Sequence, residues 1–201
     1  MDLTRPIVVA SQNPDKIAEI EAVLADLGVK ISRGHIWPEV EETEETLVGN
    51  ALLKARAVVA HTGLPAIADD TGLEVDALDG APGVHTARYA GPAARYEDNV
   101  TKLLSELGNE TNRAARFRTA VAMVTPDGEE LTVEGVLEGT IARERRGDGG
   151  FGYDPVFEVG GATLAEIDIA AKHEISHRAR ALRALHEALE ESSDARPQTS
   201  D

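Results

Sequence analysis

Five short stretches of this sequence place charged, amide or aromatic side chains at spacings that suit phosphate and base chemistry. The first is Ser11, Gln12, Asn13, Pro14, Asp15 and Lys16, which follows a short apolar run and precedes Ile17, Ile20, Leu24 and Leu27 at helical spacing. Asn13 is a good N-cap and Pro14 suits the first helical position, so Lys16 falls in the first turn, where the helix dipole disfavours a cation. A bound anion reverses that penalty, because backbone N–H groups at a helix start with an ammonium alongside form a phosphate cradle. The same residues also make an ordinary capped helix with a solvated lysine.

The second stretch pairs Asn50 with Lys54, one turn apart, after the acidic run Glu39, Glu41, Glu42, Glu44 and Glu45. Such a run reads either as a solvated face or as a source of metal ligands. The third is Asp69 and Asp70 at the end of a short apolar strand. Successive strand side chains point to opposite faces, so one carboxylate enters a given site and the other finds partners elsewhere. A carboxylate at a strand end suits Mg²⁺ coordination or activation of water; an Asp-rich turn before Gly72 is the plainer reading. The fourth stretch, Gly149, Gly150, Phe151, Gly152, Tyr153, Asp154 and Pro155, sets two aromatics in a flexible loop of a chain that is 3% aromatic. It can lay a ring against a flat base, or simply return a hairpin. The fifth, Ser176, His177 and Arg178 after Lys172, offers a helix cap and three donors, or a plain capped surface helix.

These groups need elements to hold them. Apolar residues 7–10 read as a buried strand and residues 14–27 as a helix stopped by Gly28. A second helix is expected over residues 46–61, with Leu47, Ala51, Leu52, Ala55, Val58 and Val59 on one arc and Gly63 after it. Residues 66–68 read as a short strand closed by a turn at Asp69, Asp70, Thr71 and Gly72, and residues 96–107 as a helix ending at Gly108. Residues 117–125 and 130–142 read as a hairpin around Pro126, Asp127 and Gly128, and a last helix starts near Ser176 with Ala179, Leu182, Leu185 and Leu189 inward. No repeat or composition shift marks a boundary, so residues 1–191 read as one mixed-sheet α/β domain and residues 192–201 as a polar flexible tail.

With 201 residues, 42% hydrophobic and 28% charged, the chain is long enough to bury a core and has a globular composition. The absence of cysteine excludes thiol catalysis, disulfides and thiolate metal sites. No apolar run reaches the roughly 18 residues that span a bilayer, and the first ten residues lack signal-peptide features, so the expected location is cytoplasmic. The 36 acidic and 20 basic residues leave a net charge of -16, which repels polyanions and excludes sequence-independent nucleic-acid binding. A phosphate compound must therefore be held by local basic groups, helix N-termini and a divalent cation. Fifteen of the basic residues are Arg and five Lys, a bias that fits either a salt-adapted surface or a GC-rich genome.

In this order the five stretches resemble the inosine triphosphate pyrophosphatase family, which hydrolyses deaminated purine nucleoside triphosphates. The family's opening Ser/Thr, Asn, Lys loop matches residues 11–16, its Asn-Ala-x-x-Lys-Ala helix matches residues 50–55, and its Ala-Asp-Asp-Ser/Thr-Gly-Leu strand end matches residues 68–73. Gly80, Ala81, Pro82, Gly83, Ala87, Arg88 and Tyr89, then Phe151 to Pro155, and finally Lys172, Ser176, His177 and Arg178 extend the match from about residue 7 to 190. Two features depart from it. Gly49 stands where the family often has an acidic residue, and the stretch from Phe157 to Lys172 is shorter than in many relatives.

The resemblance implies a two-lobed α/β fold with a long twisted mixed β-sheet flanked by helices, a substrate cleft between the lobes, and a homodimer. It implies Mg²⁺-dependent hydrolysis of ITP, dITP and XTP to monophosphate and pyrophosphate, cleansing the nucleotide pool. By matching positions, Ser11, Asn13, Lys16 and Lys54 hold the triphosphate, with Gln12, Pro14, Asp15 and Thr71 beside them. Asp70 coordinates Mg²⁺ or accepts a proton from the attacking water, Glu42 is the second acidic ligand, and Asp69 supports them. Phe151 stacks on the purine while Gly152, Tyr153, Asp154, Lys172, His177 and Arg178 line the base pocket. Donors from Arg178 or His177 would match the C6 carbonyl of hypoxanthine or xanthine and leave adenine rejected by roughly 10⁴-fold. A Maf-type nucleotide pyrophosphatase and a nucleotide-binding sensor without turnover are the competing readings.

Overall fold

The computed structural model describes residues 5–194. Their order is β1 (Val8–Val9), α1 (Pro14–Asp26), α2 (Leu47–Thr62), β2 (Ala66–Val75), β3 (Pro82–Gly83), α3 (Tyr96–Leu107), β4 (Ala114–Val124), β5 (Glu130–Ile141), β6 (Phe157–Val159), β7 (Ala162–Thr163), α4 (Ile169–Ile175) and α5 (His177–Asp194). The strands form one seven-stranded sheet in the order β1-β2-β4-β5-β6-β7, with β3 also on β2. It is mixed: β1 runs parallel to β2, Val8 opposite Ala66, whereas β2–β3, β5–β6 and β6–β7 are antiparallel. The α/β class read from the sequence is therefore observed. Among the described residues no helix is long and apolar enough to cross a membrane.

Local chemistry sets the start of α1 and both ends of α2. Asn13 caps α1, its Oδ1 accepting from the N–H groups of Asp15 (2.9 Å) and Lys16 (3.3 Å), with Pro14 as the first helical residue. Thr46 caps α2 by accepting from Gly49 N–H at 3.0 Å, and Gly63 closes it in the left-handed region at φ 68°.

Three features differ from the sequence reading or add to it. The turn expected at Asp69 to Gly72 does not form, because β2 runs on to Val75 with both aspartates inside the strand, their charges met by cations from distant parts of the chain. A short helix, α4, precedes α5, capped by Asp168, whose Oδ1 accepts from Ala170 N–H at 2.9 Å. Residues 192–194 extend α5; the rest of the expected polar tail lies outside the described residues.

The chain forms two compact units that interleave in sequence. The first takes residues through Asp70, Thr119–Gly135 and the chain from Arg178; the second takes Thr71–Arg118 and Val136–His177. The division falls inside β2, β4 and β5, which explains why no composition shift marks it. In the first unit, Ile20, Val23 and Leu24 of α1 and Leu182, Leu185 and Leu189 of α5 bury their apolar stripes with Val9, Ile67, Val121 and Met123 of the sheet. In the second, Val100, Leu103 and Leu107 of α3 join Leu73, Val75, Phe117, Leu137, Ile141 and Phe157, and the rings of Phe117 and Phe157 lie 4.6 Å apart. Each fully buried aliphatic side chain contributes about 1.5–3 kcal/mol.

Candidate active site

In the first unit, β2 presents Asp69 and Asp70 to different partners, as alternation along a strand requires. Asp70 Oδ1 accepts from Lys54 Nζ at 3.0 Å, and the same ammonium reaches Glu42 Oε1 at 2.7 Å. Asn50, one turn before Lys54 on α2, donates from Nδ2 to Asp70 Oδ2 at 3.3 Å. Asp69 Oδ2 instead meets Lys16 Nζ and Arg178 Nε, each at 3.1 Å, and Arg178 Nη1 pairs with Glu19 Oε2. Glu19, Arg178, Asp69 and Lys16 thus form a chain of alternating charge that sums to zero, three of its members fully or almost fully buried.

The two neighbouring carboxylates titrate in opposite directions. For Asp69, burial alone would raise the pKa, but Lys16, Arg178 and Lys54 together outweigh it and hold the carboxyl well below its ordinary range. For Asp70, burial wins over Lys54 and Lys16, helped by the charge of Glu42, and the pKa is pushed up. Burial likewise opposes the charge on Lys54, yet Asp70, Asp69 and Glu42 outweigh it and raise its pKa. Paired acids whose environments push them apart are the signature of divided roles: Asp69 is a fixed anion, whereas Asp70 is the more basic carboxylate, suited to accept a proton or to bind a hard cation.

Among the described residues no three His, Asp or Glu side chains lie close enough to hold a metal by themselves. Asp70 and Glu42 share one ammonium and supply hard oxygen donors. One or two carboxylates completed by substrate phosphates is the usual arrangement for Mg²⁺, so the donor set fits an ion that arrives with a polyphosphate.

The residues of the opening loop sit at the start of α1. Ser11 Oγ accepts from Asn13 N–H at 3.2 Å, Gln12 Nε2 reaches the Trp37 carbonyl at 3.5 Å, and Pro14 and Asp15 occupy the first turn. Thr71 continues β2 directly after Asp70, half-buried.

In the second unit, Asp154 Oδ2 accepts from Phe151 N–H at 2.8 Å and from Lys172 Nζ at 2.7 Å. Lys172 projects from α4, and its Nζ lies 4.8 Å from the centroid of the half-exposed Phe151 ring. The turn depends on Gly150, at φ 71°, where an added Cβ would stand 2.0 Å from Asp154 Oδ2. Gly152, at φ 64°, completes the loop. Phe151, Asp154 and Lys172 are therefore brought together.

Tyr153, His177 and Arg178 are all buried. Tyr153 is buried in the core, its hydroxyl donating to the Thr86 carbonyl at 3.0 Å. The His177 ring stacks on Phe117 with centroids 4.5 Å apart and is 4% exposed. Arg178 is 1% exposed, and its Nε and Nη1 pair with Asp69 and Glu19. The physical reason is the demand of two buried carboxylates for a bidentate cation.

Sequence reasoning also passed over Glu19. Its signal was an acid in the buried arc of α1, one residue before Ile20, where an ionised group must have a partner. Gly49 gains an explanation. A Cβ there would lie 2.8 Å from Glu44 Cβ and 2.9 Å from Thr46 Oγ1, so glycine lets the segment bearing Glu42 lie against the first turn of α2. Gly49→Ala is expected to displace that segment and lower kcat/KM about 10-fold. Its melting temperature should stay within a few degrees, because the helix-propensity gain of about 1 kcal/mol offsets the strain. Steady-state assay and calorimetry check this, and wild-type activity would refute it.

Residues 7–188 match the model of the Ham1 family. Similar curated proteins include a dITP/XTP pyrophosphatase of Exiguobacterium sp., 47% identical over 184 residues, covering 89% of this chain and 94% of the relative. Another, from Methylococcus capsulatus, is 49% identical over 191 residues, covering 91% and 95%. The solved structure of a HAM1 protein from Coxiella burnetii superposes with a TM-score of 0.82 at 43% identity, covering 93% of this chain and 99% of that one.

Proposed function

The chain belongs to the Ham1 family, and from that premise we propose that it is a nucleoside triphosphate pyrophosphatase that, with Mg²⁺, hydrolyses ITP, dITP and XTP to monophosphate and pyrophosphate. The observation that carries this reading is the pair of adjacent aspartates in β2, one locked as an anion by Lys16 and Arg178, the other raised by burial and joined through Lys54 to Glu42.

In this reading the α1 N-terminus, Lys16 and Lys54 bind the triphosphate oxygens, whose charge the acidic surface would otherwise repel. Asp70 and Glu42 would hold Mg²⁺, which would neutralise phosphate charge and make the attacking water more acidic. Asp70 serves either as a ligand of the ion or as the acceptor of the proton lost by water, which attacks the α-phosphorus as the α–β anhydride bond breaks and pyrophosphate leaves. A carboxylate already bound to Mg²⁺ is a poor base, so ligand and base are alternative roles for Asp70. Asp69 does not titrate in the working range; it holds Lys16 in place until phosphate arrives.

Base recognition falls to Phe151, which offers a ring face, and to Lys172, which is steadied by Asp154 and offers an ammonium donor to a C6 carbonyl. Phe151→Ala is expected to raise KM for ITP about 10–100-fold with kcat within about threefold, since stacking on one base is worth about 1–3 kcal/mol. Steady-state kinetics measure both constants, and an unchanged KM would remove Phe151 from the base site. The family reading also carries a homodimer and a cytoplasmic location.

The test of function is incubation with Mg²⁺ and, separately, ITP, XTP, ATP, GTP and dTTP, resolving nucleotides and distinguishing pyrophosphate from orthophosphate. Monophosphate and pyrophosphate from ITP and XTP, with little from ATP or GTP, is the expected result. Turnover of dTTP instead would identify a Maf-type enzyme, and binding without products a sensor.

A further inference from the structure

We propose that Asn50 is a positioning residue whose side-chain amide sets the spacing of Glu42 and Asp70, a role that rests on the reading of those two carboxylates as the metal-binding pair. Asn50 is fully buried on α2. Its Oδ1 accepts from Glu44 N–H at 3.0 Å and its Nδ2 donates to the Glu44 carbonyl at 3.2 Å, so it grips both backbone polar groups of one residue as a neighbouring strand would. Residues 32–44 form no helix or strand, and Glu42 lies two positions before the grip. The second Nδ2 proton goes to Asp70 Oδ2. One planar amide therefore joins the segment carrying Glu42 to the strand carrying Asp70.

Lys54 completes the arrangement from the next turn of the same helix. It contacts Asp70 through Oδ1 while Asn50 contacts it through Oδ2, so the carboxylate is held at each oxygen by a different group and its rotation is fixed. No other side chain of this size offers one acceptor and two donors in a plane. Leucine has nearly the same shape and none of the hydrogen bonds, which separates the amide's chemistry from its packing. The bare first turn at Gly49 supports the same conclusion independently, because the segment is seated where a Cβ would stand.

The experiment compares the wild type with Asn50→Leu, and with Asn50→Ala should the leucine variant not fold. Mn²⁺ is titrated in the presence of a non-hydrolysable α,β-imido analogue of ITP, and its ternary complex with the protein is followed by water-proton relaxation; the Mg²⁺ dependence of ITP hydrolysis and the melting temperature are measured alongside. The variant is expected to bind Mn²⁺ about 10-fold more weakly and to need about 10-fold more Mg²⁺ for half-maximal rate, with kcat about 100-fold lower and KM for ITP within about threefold. Unchanged Mn²⁺ affinity and Mg²⁺ dependence in the folded variant, with loss only in proportion to unfolded protein, would overturn the positioning role and leave a structural one. A wild-type protein that neither binds Mn²⁺ nor hydrolyses ITP would overturn the metal reading of the site, and this proposal with it.

Discussion

Asp70→Asn is expected to lower kcat for ITP about 10³-fold while leaving the protein folded and still able to bind nucleotide. The substitution keeps the shape but replaces one of the two accepting oxygens by a donating NH₂, and it removes the charge that a proton or a divalent cation requires; general-base groups typically account for about 10²–10⁴-fold. Stability should change by no more than about 1–2 kcal/mol, because the loss of one accepted hydrogen bond is offset by the relief of a buried charge. Burial raises the Asp70 pKa, so the folded chain favours the neutral carboxyl more than the unfolded chain does, and a neutral amide removes that cost. Lys54 keeps Glu42 as a partner. Rapid-quench assay, calorimetry and ITP binding by titration check the three parts. Turnover near the wild-type rate would remove Asp70 from the chemistry.

Arg178→Met is the substitution expected to cost most in stability. It leaves Glu19 and Asp69 facing each other across the place of a lost guanidinium, and breaking a buried pair by removing one member costs about 3–5 kcal/mol. For a chain of this size the melting temperature should drop by about 10 °C. Arg178→Lys should fall part-way, since a single ammonium cannot serve two carboxylates as the planar fork does. A drop of less than about 2 °C for the methionine variant, read by calorimetry, would show that the alternating charges are not cooperating.

What could be read in the sequence was what local chemistry decides. Asn13 with Pro14, Thr46 with Gly49, and Gly63 after Thr62 mark helix ends through bonds made within a few residues. Residues 96–107 read correctly because α3 is a two-sided helix bounded by a glycine. The charges of Asp69 and Asp70 misled for the opposite reason. Two acids beside a glycine look like a turn unless the reader knows that Lys16, Lys54 and Arg178 will surround them, and those partners lie far off in sequence. Arg178 has partners, Asp69 and Glu19, that no spacing rule links to it. Phe151, Asp154 and Lys172 were legible as a group because the glycine loop and a rare aromatic coincide there, whereas the burial of Tyr153 and His177 depends on Thr86 and Phe117, which carry no motif signal.

The pairing of Arg178 with Asp69, 109 residues earlier, and with Glu19, 159 earlier, also sets a clock for synthesis. At about 5–20 residues per second, Asp69 waits on the order of ten seconds after leaving the ribosome before its guanidinium exists. Through that interval the first seventy residues hold two carboxylates that must stay hydrated and an apolar stripe on α1 that still lacks Leu182, Leu185 and Leu189. The amino-terminal segment is therefore made first but completed last, and the nascent chain exposes this half-built core until its final helix emerges.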